Sequence, residues 1–403
     1  MLNDTLPPVR YIFTIKSIGL KGTLMNVVAS LSPDSPSRLL AREVLIGGPL
    51  SRGELSRRLG LSVASLTRLS KPLIEAGILQ EGREVLEGGV GRPTRPLEVP
   101  GGTHRFVGIK LTGETASGVA TDLRCQTLAT AQEQLGSESV TDVVDAIAAV
   151  VDRLADGQPV DGIGISIGGK VDGDGTVLRA PFLHWRTVPL GDLVQERTGI
   201  PVTVENDVVA LTVGEQWFGA GRGISNFAVL TVGAGVGYGL VINDRVIAPV
   251  DAGLGLVGHY PVDSAGPFCQ EGHRGCAGAV LTMAAIRGQF RMATQEDCSY
   301  EEILERARKG DKIASLLVGN AGAALGTLIA AVANLTMVNL VVLSGEGVAL
   351  AEVASEEISA SIREHRDPEA APVQLEREPT DFGQWARGAA AVAIQNSILG
   401  PTR

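Results

Sequence analysis

Residues 201–221, PVTVENDVVALTVGEQWFGAG, read as a buried strand that turns at Glu205-Asn206-Asp207 directly into a helix. The β-branched positions Val202, Thr203 and Val204 suit a strand. Asp207 is an acceptable N-cap for a helix running from Val208 to Trp217. From these residues alone the cap is the favoured role of Asp207.

Working outward, residues 227–242, FAVLTVGAGVGYGLVI, read as two buried strands joined by a glycine-rich turn with Gly233, Gly235, Gly237 and Gly239. An earlier stretch, FVGIKLTGETASGVATDL at 106–123, opens with the same strand–turn–strand pattern. Two related α/β lobes around a cleft are therefore expected, and such a cleft is where a small ligand binds.

Composition limits the rest. A chain of 403 residues with 44% hydrophobic but only 4% aromatic residues and 51 glycines can bury sizeable cores and suits an α/β protein of two or three domains. The net charge of −10 argues against general coating of nucleic acid. Yet Ser37 to Glu98 carries ten basic against seven acidic residues, a local excess in an acidic chain. Four scattered cysteines do not make a disulfide framework, and Lys16 and Lys21 interrupt the early apolar stretch, so a reducing cytoplasm is expected. The apolar run Ile313 to Leu343 contains Asn320, Asn334 and Asn339 and changes character near Asn334. It predicts a buried helix followed by a buried strand rather than a membrane span.

Near the N-terminus, the pattern predicts three helices. The first spans Ser37 to Ile46. The second is Ser51 to Leu59, with Ser51 as N-cap and Glu54 as its capping-box partner. The third begins near Ser62, with Val63, Leu66, Leu69 and Leu73 inward and Ser65, Thr67, Arg68 and Lys71 outward. Gly60 supplies the turn, and Pro72 predicts a kink or restart. Ile78 to Val99 then reads as a two-stranded wing closed by Gly88 to Pro93. This is a helix-turn-helix arrangement in which the start of the third helix can enter the major groove. Arg52, Ser62, Ser65, Thr67, Arg68 and Lys71 are the candidate DNA contacts. Arg92 and Arg95 on the wing suit phosphate or minor-groove contact. Residues 1–36 form an arm to which no function is assigned.

The segments LSRGELSRRLGLSVASLTRLSKPLIEAGILQE and GVGRPTRPLEV resemble the winged helix-turn-helix of ROK family repressors. The Glu-Asn-Asp corner and the glycine-rich turn resemble the body that this family shares with its sugar kinases. The resemblance implies a winged helix-turn-helix at 37–100 and a two-lobed actin-like ATPase fold. Its first lobe covers 101–206 and is completed by a C-terminal helix at about 384–403; its second lobe covers 207–383. In the kinases the aspartate matching Asp207 is the general base. The resemblance places Asn206, Asp207, His259 and Gly169, within GIGISIGGKVDGDGTVLRAPFLHW, at an effector site.

Departures from the kinase pattern are as telling. Where the family's first phosphate loop reads Asp-x-Gly-Gly-Thr, this chain has Lys110-Leu111-Thr112-Gly113-Glu114. Phosphoryl transfer depends on positioning and charge neutralisation, so a base in place of the metal-associated acid argues against turnover of ATP. Phe182 stands for the family's Asn, Leu256 for the Glu of Glu-x-Gly-His, and Gly278 for a Glu after Cys276. Each loses a hydrogen-bonding group, which predicts a less polar pocket than a glucose site.

ROK proteins commonly carry Gly-His, about ten residues, then Cys-x-Cys-Gly-x-x-Gly-Cys. The matching text is Gly258-His259 followed by Cys269-Gln270-Glu271-Gly272-His273-Arg274-Gly275-Cys276. Zinc accepts imidazole, thiolate and carboxylate. The implied cofactor is zinc on His259, Cys269, Glu271 and Cys276, with His273 as the alternative fourth ligand. The expected protein is a cytoplasmic homodimer or dimer of dimers, a regulator that binds an operator in double-stranded DNA and a sugar-like effector. A sugar kinase with a DNA-binding appendage, or a regulator governed by a protein partner, are the alternatives.

Overall fold

The structure, a computed structural model, describes residues 35–85, 93–378 and 382–400. Residues 1–34 of the expected 1–36 arm and the wing tip with Arg92 lie outside the described residues.

The N-terminal unit has three helices, α1 (Pro36–Gly47), α2 (Arg52–Leu59) and α3 (Val63–Glu75). Ser35, Ser51 and Ser62 cap them, each accepting a backbone N–H with its hydroxyl. Gly60 closes α2 in the left-handed region (φ 66°), which makes the tight turn into α3. Strands β1 (Gln80–Glu81) and β2 (Leu97–Glu98) pair antiparallel; Leu50 bridges to Leu97 and Val85 to Thr94. Three local expectations change. Glu54 bonds Arg58 (2.5 Å) rather than completing a capping box. Val63 is half exposed, since it opens α3 on the outer side. Helix α3 runs through Pro72 as one element. The missing amide of Pro72 would have met the carbonyl of Arg68, an exposed residue whose carbonyl water can satisfy.

In the first lobe, β3 (Phe106–Leu111), β4 (Thr115–Thr121), β5 (Thr127–Gln134) and β6 (Gly162–Ile167) follow. A small sheet of β7 (Lys170–Val171), β8 (Val177–Ala180) and β9 (Trp185–Val188) precedes β10 (Val202–Asn206). The main sheet has the order β10-β6-β3-β4-β5, parallel at β10-β6-β3 and antiparallel beyond. Helices α4 (Val140–Ala155) and α5 (Leu190–Thr198) pack on it. In the second lobe β11 (Phe227–Val232), β12 (Val236–Ile242), β13 (Arg245–Val246), β14 (Leu340–Ser344) and β15 (Gln374–Arg377) form a sheet of order β13-β12-β11-β14-β15. Each sheet thus combines an antiparallel hairpin with parallel strands beside it, and the internal repeat read from 106–123 and 227–242 is the hairpin of each.

Helix α6 (Asp207–Phe218) leaves the Asn206 corner. Helices α7 (Ala277–Leu281), α8 (Met283–Thr294), α9 (Tyr300–Arg308), α10 (Lys312–Thr336), α11 (Leu350–Val353) and α12 (Ser355–Glu364) belong to the second lobe, and α13 (Phe382–Leu399) ends the fold. The apolar run is α10 followed by β14. Helix α10 is long and apolar enough to cross a membrane, but Val318, Leu325, Leu328 and Ile329 are buried in the lobe's core. Helix α13 crosses the first sheet so closely that a Cβ on Gly108 or Gly164 would fall 1.9 Å from the carbonyl oxygens of Ala386 and Ala389. Small residues there let sheet and helix backbones touch.

One hydrophobic core joins the N-terminal unit to the body. Leu40, Val44, Leu55, Leu66 and Leu73 are continuous with Trp217 of α6 and with Ile394 and Ile398 of α13. Arg38, buried in α1, donates to the carbonyl of Leu399. The unit is docked on the body, so a shift of α6 or α13 is felt by α1.

Candidate functional site

Strand β10 delivers Asn206 to the cleft, where its side chain caps α6 by accepting from the amides of Val208 (3.0 Å) and Val209 (3.2 Å). The cap is therefore Asn206; Asp207 is the first helical residue. Asn206 Nδ2 also donates to the Gly169 carbonyl at 2.9 Å. Gly253 seats its backbone against this pair. It has φ 83°, and a Cβ there would lie 2.0 Å from Gly169 O and 2.9 Å from Asn206 Nδ2. Lys170 and Asp251 add an ion contact at 3.8 Å. The loop around Asp251 and Gly253 thus closes against the first lobe's Gly168-Gly169 turn.

Asp207 does not point freely into the cleft. Its Oδ2 lies 2.5 Å from Lys110 Nζ, with both side chains largely buried, and the ammonium also sits 4.8 Å from the centroid of the Trp385 ring. The exchange at Lys110 removes an acid and at the same time neutralises the carboxylate that matches the kinase base. The neighbouring loop is closed on itself: Thr112 Oγ1 accepts from the amides of Glu114 (3.2 Å) and Thr115 (2.9 Å). On the other side, a Cβ on Gly233 would fall 2.0 Å from Glu346 Oε2, so a carboxylate rests on the second glycine loop. Sequence reading missed Glu346, which is 113 positions from that loop and reaches it only because β14 lies beside β11.

A cavity of about 180 Å³ opens below the corner, lined by Asn206 and by Val208, Tyr238, Leu240, Asp251 and Leu256 among others. Of the four expected effector contacts, Asn206 lines this cavity. Gly169 is bonded to Asn206, Asp207 is turned to Lys110, and His259 faces away toward the cysteine loop. Phe182 is exposed, its ring about where a Cβ on Gly168 would touch it (3.5 Å), beside Asp207.

Within the loop after Gly258, His259 Nδ1 and His273 Nδ1 are 3.1 Å apart, and Cys269 Sγ lies 3.9 Å and 3.6 Å from them. Tetrahedral zinc, with bonds of about 2.0–2.1 Å to nitrogen and about 2.3 Å to sulfur, sets its ligand atoms roughly 3.3–3.6 Å apart. Two imidazoles and a thiolate at this spacing fit the ion. Among the described residues these three form the group of donor atoms within 4.8 Å; exposed Glu271 is not in it. The structure therefore brings His273, not Glu271, to His259 and Cys269. The reason is local: Gly272 in the left-handed region (φ 84°) and the Cys269 N–H to His273 O bond (2.9 Å) fold the turn so that His273 points inward. Cys276 is buried outside that group; burial raises its thiol pKa, and the nearby Cys269 thiol adds to the rise.

In the N-terminal unit the expected contacts divide. Arg68 and Lys71 are exposed on α3. Ser62 caps the helix, its hydroxyl 2.9 Å from that of Ser65, and Thr67 bonds the Val63 carbonyl at 3.0 Å. Arg52 is held by Glu81 at 2.7 Å and by the Arg95 carbonyl at 3.4 Å, and Arg95 itself pairs with Glu84 at 3.1 Å.

The chain is similar over most of its length to known proteins. The DNA-binding transcriptional repressor Mlc of Escherichia coli is 25% identical over 367 residues, 87% of this chain and 90% of that protein. A glucokinase of Thermotoga maritima is 30% identical over 259 residues, 60% of this chain and 81% of the enzyme. The solved structure of a ROK family transcriptional regulator, a homolog of the E. coli MLC protein, superposes with a TM-score of 0.77 at 26% identity, covering 91% of this chain and 97% of that one. Coverage of that extent requires the N-terminal unit as well as the body. The family model for the ROK family matches residues 106–396, so this chain belongs to the ROK family.

Proposed function

We propose that this chain is a sequence-specific DNA-binding transcription regulator, a repressor of carbohydrate genes, whose cleft takes a small sugar-like effector and which does not phosphorylate it. The observation that carries this reading is the Lys110–Asp207 ion pair. A general base must be free to accept a proton from the substrate hydroxyl. Here the matching carboxylate is paired with a cation on the strand where a kinase needs its metal-associated acid. The self-bonded Thr112 turn and the Glu346 carboxylate withdraw the amides and the charge balance that phosphates require.

What remains serves binding. Asn206 and the apolar side chains of Val208, Tyr238 and Leu256 favour a monosaccharide-sized ligand with an apolar edge. Arg68 and Lys71 on α3 face outward as a major-groove reader requires. Zinc on His259, Cys269 and His273 would order the loop that follows the Asp251–Gly253 contact, and Cys276 is the candidate fourth donor. In a homodimer, two such units must sit about 34 Å apart to meet both half-sites. An effector with different affinity for the two lobe geometries would change that spacing through α6, α13 and the shared core.

The test is selection of binding sequences from random DNA, then a gel-shift titration of the selected site against a panel of sugars and sugar phosphates. A saturable, sugar-specific change in affinity is expected. Phosphorylated product from any of these sugars under saturating ATP and magnesium, abolished by Asp207→Asn, would replace this reading with that of a kinase.

A further inference from the structure

A second cavity lies away from the interlobe cleft, at the seam between the N-terminal unit and the body. It encloses about 610 Å³, within the roughly 300–1,000 Å³ range of small-molecule sites. Val44 and Pro49 wall it from the N-terminal unit and Phe218 from α6, while Arg124, Arg222 and Arg387 bring three guanidinium groups to it. No acidic side chain lines it, and among the described residues no carboxylate oxygen lies within 4 Å of any of the three. Their hydrogen-bond acceptors are neutral. Arg124 Nε donates to Val99 O at 3.0 Å, Arg222 Nε to Ile46 O, and Arg387 Nε to Cys125 O at 3.2 Å, with its Nη1 on Gln384 Oε1 at 2.9 Å. Each guanidinium has five N–H donors, so these bonds leave donors to spare.

We propose that this seam cavity binds a small organic polyanion bearing phosphate or carboxylate groups, at a site separate from the sugar cleft. Three guanidinium groups around a space of this size with no acidic side chain in its lining are what such a ligand needs, although Glu215 and Glu378 line the adjacent cavity beside Arg387. The guanidinium fork matches both oxyanions through paired, charge-assisted hydrogen bonds. The apolar wall of Val44, Pro49 and Phe218 would cover a short carbon skeleton.

The site is placed to act on the N-terminal unit. Ile46 belongs to the last turn of α1 and Val99 follows β2, so Arg124 and Arg222 already hold that unit to the body by its backbone carbonyls. An anion that draws these forks inward competes with those bonds and loosens the docking. Given DNA binding by α3, occupancy weakens operator affinity.

Isothermal titration of the full chain with pyrophosphate and, separately, with citrate, at fixed ionic strength, tests the site without DNA or sugar, so its failure is distinct from failure of the regulator reading. One saturable site per chain is expected for at least one probe. Pyrophosphate alone would point to a phosphorylated ligand and citrate alone to a polycarboxylate. Arg222→Gln and Arg387→Gln should each weaken binding about tenfold or more, the cost of one charge-assisted contact. Gln126→Glu, at an exposed residue on the cavity's rim, places a tethered carboxylate among the arginines and should weaken it similarly without disturbing the core. No saturable binding of either probe, or wild-type affinity in all three variants, would overturn the proposal.

Discussion

Lys110 Nζ and Asp207 Oδ2 lie 2.5 Å apart, their side chains 7% and 17% exposed, between the first strand of the body and the first turn of α6. The pair joins the first-loop position where the ROK kinases carry an acid to the position that matches their general base. It also anchors α6 to β3, directly under the ring of Trp385 on α13. A single exchange in the first phosphate loop has thus become a structural contact.

Breaking this pair should be costly, because one charge remains buried without its partner. Lys110→Met is expected to lower the unfolding free energy by about 3–5 kcal/mol. Combining it with Asp207→Asn should recover much of that loss, since neither buried charge is then stranded. Urea denaturation of both singles and the double gives the coupling energy; strictly additive losses would show that the two side chains do not stabilise each other.

Arg68 and Lys71 are exposed on α3, whereas Arg52 is engaged by Glu81 and the Arg95 carbonyl. Arg68→Ala should weaken specific DNA binding by about 1–3 kcal/mol if a base edge is its partner. Lys71→Ala should weaken all sequences alike and reduce the salt slope by about 1. Arg52→Ala should instead lower the melting temperature, since its guanidinium is engaged with Glu81 and Arg95. Anisotropy titrations over a salt series, with melts of the same variants, distinguish these outcomes; a salt slope changed by Arg52→Ala and unchanged by Lys71→Ala would reverse the assignment.

Zinc is expected at one ion per chain after exhaustive dialysis. His273→Ala should release it, whereas Glu271→Ala should retain it, because His273 and not Glu271 stands with His259 and Cys269. Elemental analysis of the three proteins decides this. Metal lost from Glu271→Ala and kept by His273→Ala would restore the ligand set read from the spacing alone.

Glu215 gives stability a pH dependence. Burial drives its pKa from 4.5 up to about 7, opposed by the Ala220 N–H; Glu378 raises it further and Arg387 lowers it. The folded chain then holds this proton where the unfolded chain has lost it, so stability falls as pH rises from about 4.5 to about 7 and levels off above. The full effect is on the order of 3 kcal/mol. Glu215→Gln should flatten the curve and melt higher than wild type at pH 8. A wild-type melting curve that rises through this window, with the variant unchanged, would remove Glu215 as its source.

Much of the frame was readable from local pattern. The three capped helices, the Glu-Asn-Asp corner and the paired hairpins follow from spacing, cap residues and glycine, which act within a few positions. The α10–β14 division near Asn334 was legible for the same reason. The helix does not restart at Pro72, because whether a proline ends a helix depends on the packing around it, and that is a tertiary property. Which of Glu271 and His273 stands with Cys269 is set by the turn at Gly272, which spacing does not give.

Sequence alone therefore determined which residues could do chemistry: Lys110 where an acid is needed, an Asn-Asp corner, a His/Cys loop and an N-terminal helix-turn-helix. Only the tertiary structure decided what they face. It turned Asp207 to Lys110, set Glu346 on the Gly233 loop, chose His273 over Glu271, and gathered Arg124, Arg222 and Arg387 from three distant segments around one cavity. Such contacts join residues far apart in the chain, and their energies depend on burial and distance, which no local spacing encodes.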